Sequence, residues 1–471
     1  MNYIKDFLRL FTRSTPFLLG NTLSFLPYLL FLNYSDGLSW SSILPFVLFY
    51  TLRMTGIFLL RVLPEGVDSY TLWMIAILLG CGGSLIGTLG FLFPALYSVA
   101  AVALGLAAAW FLPAKLTVDR YEWLKGSRTM RPAYYFAGFL LAILLFLTLS
   151  IGSVAGRTFS FALYTIFFIA CYHTVTHYPH FDLKFAGIRL RTLRKGELLL
   201  FATFFLLLFL LRIGRSLTRI ATVDLALIGF CGLFLLLVIL GGVFRPHRKL
   251  PLWLNSLTFV NGMMGNFLFL FGSLYVGTVF GGSQVPTRVF LPYILGMMIG
   301  LLVRGPLLQR WGRQRAPLLF LSGQAVGLLL ILWSAGMWSG FFILSLFRSI
   351  CSAWLNEQHF AVTTLPFDQR LIAKGTVQNE GSLLHQFVLM LTLSALILWR
   401  GLPQNTLLSI TTYIAASQKE KWILEAAKYL NVGLLLVILL VLLAVFRRKP
   451  AVYQPPEAAT QAKKHSQDEL H

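Results

Sequence analysis

Acidic side chains are scarce in this chain. Asp and Glu number 17 against 39 Lys and Arg, and charged residues of both signs make up only 12% of 471 positions. Soluble globular domains carry about 25% charge, so a water-soluble fold is excluded. Cysteines number four, and Cys81, Cys171, Cys231 and Cys351 each lie inside an apolar segment with no CxxC spacing. That excludes a disulfide framework and a thiolate metal site, leaving them as small buried hydrophobes. No P-loop lysine motif, HExxH or GxSxG occurs, so ATP drive, zinc hydrolysis and serine hydrolysis have no signature. No catalytic residue, cofactor or metal is expected. Met1–Arg13 runs into an apolar stretch with no small-residue cleavage site behind it, the pattern of an uncleaved cytoplasmic start.

What fills the chain is hydrocarbon. Hydrophobic residues make up 57% of it and the mean hydropathy is +0.75. An apolar helix of about 20 residues crosses a bilayer, and only helices or closed barrels do so with their backbone satisfied. Runs such as Leu198–Leu211 and Leu434–Phe446 lack the alternation of barrel strands, so the spans are helical and the fold class is all-α. Fourteen spans are expected, near 17–34, 40–61, 71–92, 94–113, 133–153, 158–177, 197–213, 223–244, 253–278, 288–304, 317–336, 338–359, 382–400 and 430–446.

The formal charge of +22 invites a nucleic-acid partner, yet the bases sit at span ends, where they face headgroups. The expected partner is the lipid bilayer. Counted from an inside N-terminus, the basic gaps fall on the cytoplasmic side: 114–132, 178–196, the gaps holding Arg245 and Arg304–Arg315, then Arg370 and Lys374. Both termini are therefore expected in the cytoplasm of a bacterial inner membrane. Arg212, Arg215 and Arg219 break the rule on the outer side. The large outer loop 401–429 is mixed in charge, holds an expected amphipathic helix from about Thr411 to Leu430, and is a candidate contact for an extracytoplasmic partner. The layout predicts a six-helix bundle over 1–177, a basic loop and two linking helices over 178–250, a second six-helix bundle over 251–448, and a disordered tail 449–471.

One inner gap carries the sharpest motif, Gly305-Pro-Leu-Leu-Gln309-Arg310-Trp-Gly312-Arg313-Gln-Arg315. Its glycines suit a tight turn between spans, and its arginines suit carbonyl ends and acids of neighbouring helices. It resembles the G-x-x-x-D-R-x-G-R signature of the major facilitator superfamily, with Gln309 in place of Asp. Leu346-Phe-Arg348-Ser-Ile-Cys-Ser352-Ala353 resembles that family's R-x-x-x-G-x-x-A motif, and Gly375–Gln386 resembles the lead into the penultimate span of fourteen-span drug–proton antiporters, with His385 for an arginine. The resemblance covers the layout of nearly the whole chain but the motifs of about 290–400 only. In the first half the corresponding loop reads Arg61–Asp68 and the fifth span ends Ile151–Gly156, without the antiporter motif. It implies a major facilitator fold, a gating role for Gly305, Gln309, Arg310, Gly312 and Arg313, and transport by alternating access.

An ionisable group within a span costs a few kcal/mol on insertion scales, so each is a candidate for function. Arg53 and Arg348 are the two deepest. They either bind an anionic substrate or coupling carboxylate, or fix helix packing through backbone carbonyls. Glu357, with Asn356, Gln358 and His359 beside it and His385 on the next span, either carries a coupling proton or closes a gate salt bridge to an inner-loop arginine. Asn255, Asn261 and Asn266 line the ninth span as substrate ligands or as hydrogen bonds between helices. His173, His177 and His180 have a helical spacing, but Pro179 interrupts it and no shell completes a metal site. Gly80, Gly83, Gly87 and Gly90, with the pairs Gly296/Gly300 and Gly323/Gly327, are faces for close helix approach. The leading expectation is a secondary transporter exporting an apolar or amphiphilic small molecule, with proton coupling open. A lipid or lipid-linked sugar flippase and a non-transporting scaffold or sensor are the alternatives.

Overall fold

The computed structural model describes residues 2–35, 40–63, 67–127, 131–149, 153–184, 193–214, 250–402 and 418–448, with isolated positions between them. Among these residues there is no strand. The expected linking span over 223–244, Arg215, Arg219, Cys231, most of 403–417 and the tail 449–471 lie outside the described residues, as does the side chain of Arg313. Among the described residues, nine helices are long and apolar enough to cross a membrane, ten if a bent pair is one span, and two more apolar helices are shorter. All predicted spans other than 223–244 coincide with described helices, so the chain is an integral membrane protein of the all-α class. Large apolar side chains such as Phe136, Ile169, Leu302 and Val437 are exposed, as a lipid-facing surface requires.

The helices fall into two compact units, Met1–Ser216 with Phe367–Ile372, and Leu217–Pro366 with Ala373–His471. The first holds α1 (Asn2–Thr22), α2 (Leu26–Tyr34), α3 (Trp40–Leu59), α4 (Ser69–Thr88), α5 (Ala95–Leu124), α6 (Pro132–Leu149), α7 (Val154–Thr176) and α8 (Lys195–Gly214). The first span is not straight: α1 and α2 bend by 61°. Pro27 in the first turn of α2 has no N–H to continue the ladder, so the chain breaks at Leu23–Phe25. Around α5 the close packing comes from missing side chains. A Cβ on Gly105 would lie 2.9 Å from the carbonyl of Phe49 on α3, and one on Gly83 would meet Ala103 at 2.9 Å. The helix α8 packs on α3, and Glu197 pairs with Arg61, in the turn just beyond α3, at 2.9 Å.

The second unit holds α9 (Leu252–Phe280), α10 (Leu291–Trp311), α11 (Ala316–Ile331), α12 (Met337–Phe360), α13 (Arg370–Trp399, from Ala373 onward) and α14 (Gln418–Arg448). Within α9 the segment Phe267–Phe271 widens to a π-helix, a local irregularity often found at functional sites. The pairs Gly296/Gly300 and Gly323/Gly327 face α12, where added Cβ atoms would meet the carbonyl of Phe342, Ser349, Phe347 and Leu344. A closer approach joins α9 to α13. A Cβ on Gly262 would sit 1.9 Å from the carbonyl of Gln378, and one on Gly381 would sit 2.0 Å from that of Phe259. Glycine is the one residue that fits both positions.

Several helix ends differ from the sequence expectation. Lys115 and Arg120 belong to α5, which continues past Pro113 to Leu124. At about 1.5 Å per residue this helix is longer than the ~30 Å hydrocarbon it crosses, so a helix end and a span end are different boundaries. Likewise Gly305–Arg310 are helical, and the turn after α10 rests on Gly312 alone, with φ +80°. Arg370 and Lys374 are helical residues of α13, not of an inner loop. The helix α14 starts at Gln418, inside the region assigned to the outer loop, where Lys428 and Glu425 pair one turn apart.

Candidate functional site

Polar side chains collect in the second unit where α9, α12 and α13 meet. The Gly262–Gly381 contact sets the spacing of this seam, and Ser382 Oγ donates to the carbonyl of Gly262 at 2.9 Å across it. Arg348, on α12, donates from Nε to the carbonyl of Asn261 at 3.3 Å and lies flat against Gly265, where a Cβ would come within 2.4 Å of its guanidinium. Arg348, Ser352 and Asn356 recur every four residues and share one face of α12. Lys374, on α13, is buried against that face. Its Nζ donates to the Ser352 carbonyl at 3.1 Å, the Ser352 hydroxyl at 2.9 Å and Asn356 Oδ1 at 2.6 Å.

Two fully buried histidines complete the seam. Thr258 gives its hydroxyl proton to Leu254, so its oxygen accepts from His359 Nε2 at 3.1 Å, and Nδ1 of that ring is a bare acceptor. His385 Nδ1 accepts from the Asn266 amide at 3.0 Å, which leaves its Nε2–H as a donor without a partner among the described residues. Neither amide atom of Asn261 has a partner among them. Buried polar atoms are ordinarily satisfied, and a group of them left open in one seam is what a polar ligand or water would fill.

Of the residues singled out from sequence, Arg348, Asn261, Asn266 and His385 come together here. Asn255 lies two turns from Asn261 on α9 and lines a separate apolar groove of about 600 Å³ with Leu252, Phe259, Val437 and Val441. Glu357 forms an ion pair with Arg304 of α10, and both side chains are about one-third exposed. Arg53 stands in the first unit, where it donates to the carbonyl of Ser24 at 2.5 Å, in the break between α1 and α2. Gly305, Gln309 and Arg310 are exposed at the end of α10, and Arg310 has no ion pair among the described residues.

Two functional-type residues escaped the sequence reading. Lys374 was counted as a loop cation. Glu122, near the end of α5, is fully buried: it accepts from Tyr70 Oη and from the His180 backbone N–H at 3.1 Å, and lies 3.1 Å from His180 Nδ1. Glu122 is thus far more enclosed than the one-third-exposed Glu357. The continuing apolar period Leu116, Val118, Tyr121 past Pro113 is the signal that would have placed Glu122 on a helix. His173 and His177 touch one another at the surface, and no group able to hold a metal ion occurs among the described residues. Beside His180, a cavity of about 270 Å³ is lined by Asp68, Tyr70, Tyr121, Asp182 and Asp368. Burial raises the Asp68 carboxyl above its ordinary 3.8, opposed by the Thr71 backbone N–H and reinforced by Asp368.

No family model matches the sequence, and no curated relative does. Solved structures do. An auto-inhibited peptide transporter of the POT family superposes with a TM-score of 0.55 at 14% identity, covering 95% of this chain and 98% of that one. A second POT peptide transporter gives 0.53 at 14% identity over 93% and 94%. A variant of the nucleoside transporter NupG gives 0.51 at 12% identity over 93% and 98%. At such identities the likeness is one of fold. The peptide and nucleoside transporters lend no support to the narrower resemblance to drug–proton antiporters. What the chain shares with them is the major facilitator fold.

Proposed function

We propose that this protein is a secondary transporter working by alternating access, with its substrate bound in the seam of α9, α12 and α13. The observation that carries the reading is a group of buried hydrogen-bonding atoms left open in the middle of a membrane-embedded bundle. Polar groups at such depth are costly and mark substrate or ion paths by default. The seam offers an ammonium, a guanidinium, an imidazole donor and an imidazole acceptor, a set suited to a small polar solute. Short peptides and nucleosides, carried by the proteins of similar fold, are the first solutes to try. The pairing of Glu357 with Arg304 supports a gate over a proton carrier. The exposed Arg310 and the Gly312 turn are proposed as the moving end of α10.

Counterflow into vesicles of the purified protein tests this. Vesicles preloaded with unlabelled dipeptides or nucleosides are expected to accumulate the labelled solute, and Asn261→Ala to slow it on the order of tenfold, the cost of one buried hydrogen bond to a charged or polar ligand. Absence of counterflow for every solute, under every gradient, is the result expected of a scaffold.

A second reading rests on the apolar groove between α9 and α14. Its buried polar atom without a partner among the described residues, Asn255 Oδ1, suits an amphiphile with a donor on its head. On that reading the protein moves lipids or amphiphilic drugs, and a fluorescent lipid crosses between leaflets faster in its presence.

A further inference from the structure

Among the described residues, several buried or half-buried cations are matched by carboxylates. Lys115, on α5, pairs with Asp119, and Lys428, on α14, pairs with Glu425. Arg61 has Glu197 and Arg304 has Glu357. In the seam the pattern stops. All three acceptors of Lys374 are neutral, two oxygens of Ser352 and one of Asn356. Arg348 holds a backbone carbonyl, and neither cation has an ion-pair partner among the described residues. The two are close enough to act on each other electrostatically, so they repel.

An unpaired charge in a bundle within the membrane is costly, and two like charges together are costlier. Glycine contacts hold α9 to α13, and α10 and α11 to α12, while Arg348 joins α12 to α9 through one carbonyl and Lys374 joins α12 to α13 through neutral oxygens. A neutral hydrogen-bonding side chain could make the same bridges without the charge. Gly265 leaves room for the guanidinium against the backbone of α9, and Asn261, one turn earlier, adds an amide whose atoms are both open. A planar fork, a point charge and an amide donor form a cradle for two oxygens that share a negative charge.

We propose that the solute held in this seam carries an oxyanion, a carboxylate or a phosphate, bound by the Arg348 guanidinium and the Asn261 amide and drawn by the charge of Lys374, whose three N–H groups stay on Ser352 and Asn356. That the anion is also the transported solute rests on the transporter reading; its binding does not. The pair then has a counterion in the loaded protein and lacks one in the empty protein, which makes the empty seam the less stable of the two states.

The test is a binding measurement on the full chain in lipid nanodiscs. Acetate and inorganic phosphate are titrated at constant ionic strength against chloride, with the unfolding temperature and the tryptophan fluorescence as readouts. At least one of the two oxyanions is expected to give a saturable rise. Lys374→Gln and Arg348→Gln should each weaken it on the order of tenfold or more, and Lys374→Arg should keep most of it. No saturable response to either anion by the unaltered protein overturns the proposal, whatever the variants do. So does a response that both glutamine variants leave unchanged. Binding without flux in vesicles leaves the oxyanion site standing and removes the transporter reading. Flux of neutral solutes that ignores both substitutions overturns the claim that the transported solute is held by this pair.

Discussion

At the scale of single residues, what separates a structural charge from a functional one is its partner. Arg53 fills the break in the first span by capping the Ser24 carbonyl, and that contact accounts for its depth. Arg304 and Glu357 account for each other. Because both are about one-third exposed, the pair should contribute only about 0–1 kcal/mol. Glu357→Gln is therefore expected to fold, to shift thermal unfolding little, and to keep any transport driven by a pH gradient. Loss of gradient-driven flux with exchange intact would return the proton to Glu357. Glu122 is the opposite case. Glu122→Ala strips the acceptor from Tyr70 and from two groups of His180 within a buried pocket, and should destabilise the first unit by roughly 1–3 kcal/mol in denaturant unfolding. Polar residues inside long apolar runs, such as Arg348, Asn261, Asn266 and His385, were legible in the sequence because nothing else explains them there. Lys374 and Glu122 were not, because a charge near a span end reads as a solvated loop until the packing against it is seen.

Elements were legible in kind and order and less so in their ends. Hydropathy marks where hydrocarbon begins, while hydrogen bonding marks where a helix begins, and α5, α13 and α14 run well beyond the first boundary. Close glycine approaches between α10, α11 and α12 followed from small-residue spacing. The tighter Gly262–Gly381 contact did not, because its two members lie on helices far apart in the chain and neither belongs to a four-residue glycine repeat. Gly262→Val should be the more damaging of the core substitutions, costing on the order of 1–3 kcal/mol or more through overpacking against the Gln378 carbonyl, with lost yield of folded protein as the readout. At the start of α4, Asp68 caps the helix by accepting from the N–H groups of Tyr70 and Thr71, yet burial and Asp368 raise its carboxyl above 3.8. An acid whose pKa is raised on folding adds stability at low pH and loses it as pH climbs through the raised value. Asp68→Asn keeps a capping oxygen and removes the titration. Thermal unfolding of the wild type should therefore decline across the window just above pH 3.8, while the asparagine variant stays level through it.

For the molecule as a whole, the scarcity of acids and the placement of bases carried the membrane assignment and the helical class. The motifs of the second half pointed to the fold that the solved transporters share. They did not point to a substrate, because a fold hosts many functions and the site alone distinguishes them. Orientation rests on the distribution of bases. A cysteine placed at Gln418, at the start of α14, is expected to react with an impermeant reagent from outside, and one at Gln314, after α10, is not; the reverse would invert the topology. The central claim is that the seam of α9, α12 and α13 binds what the protein moves. Counterflow of labelled dialanine and of labelled uridine monophosphate, measured side by side in wild-type, Arg348→Gln and Lys374→Gln vesicles, addresses it most directly. The account predicts saturable counterflow of at least one solute in the wild type and its loss in both variants, with all three proteins inserted and folded. Equal counterflow in all three, or none in the wild type, would contradict it.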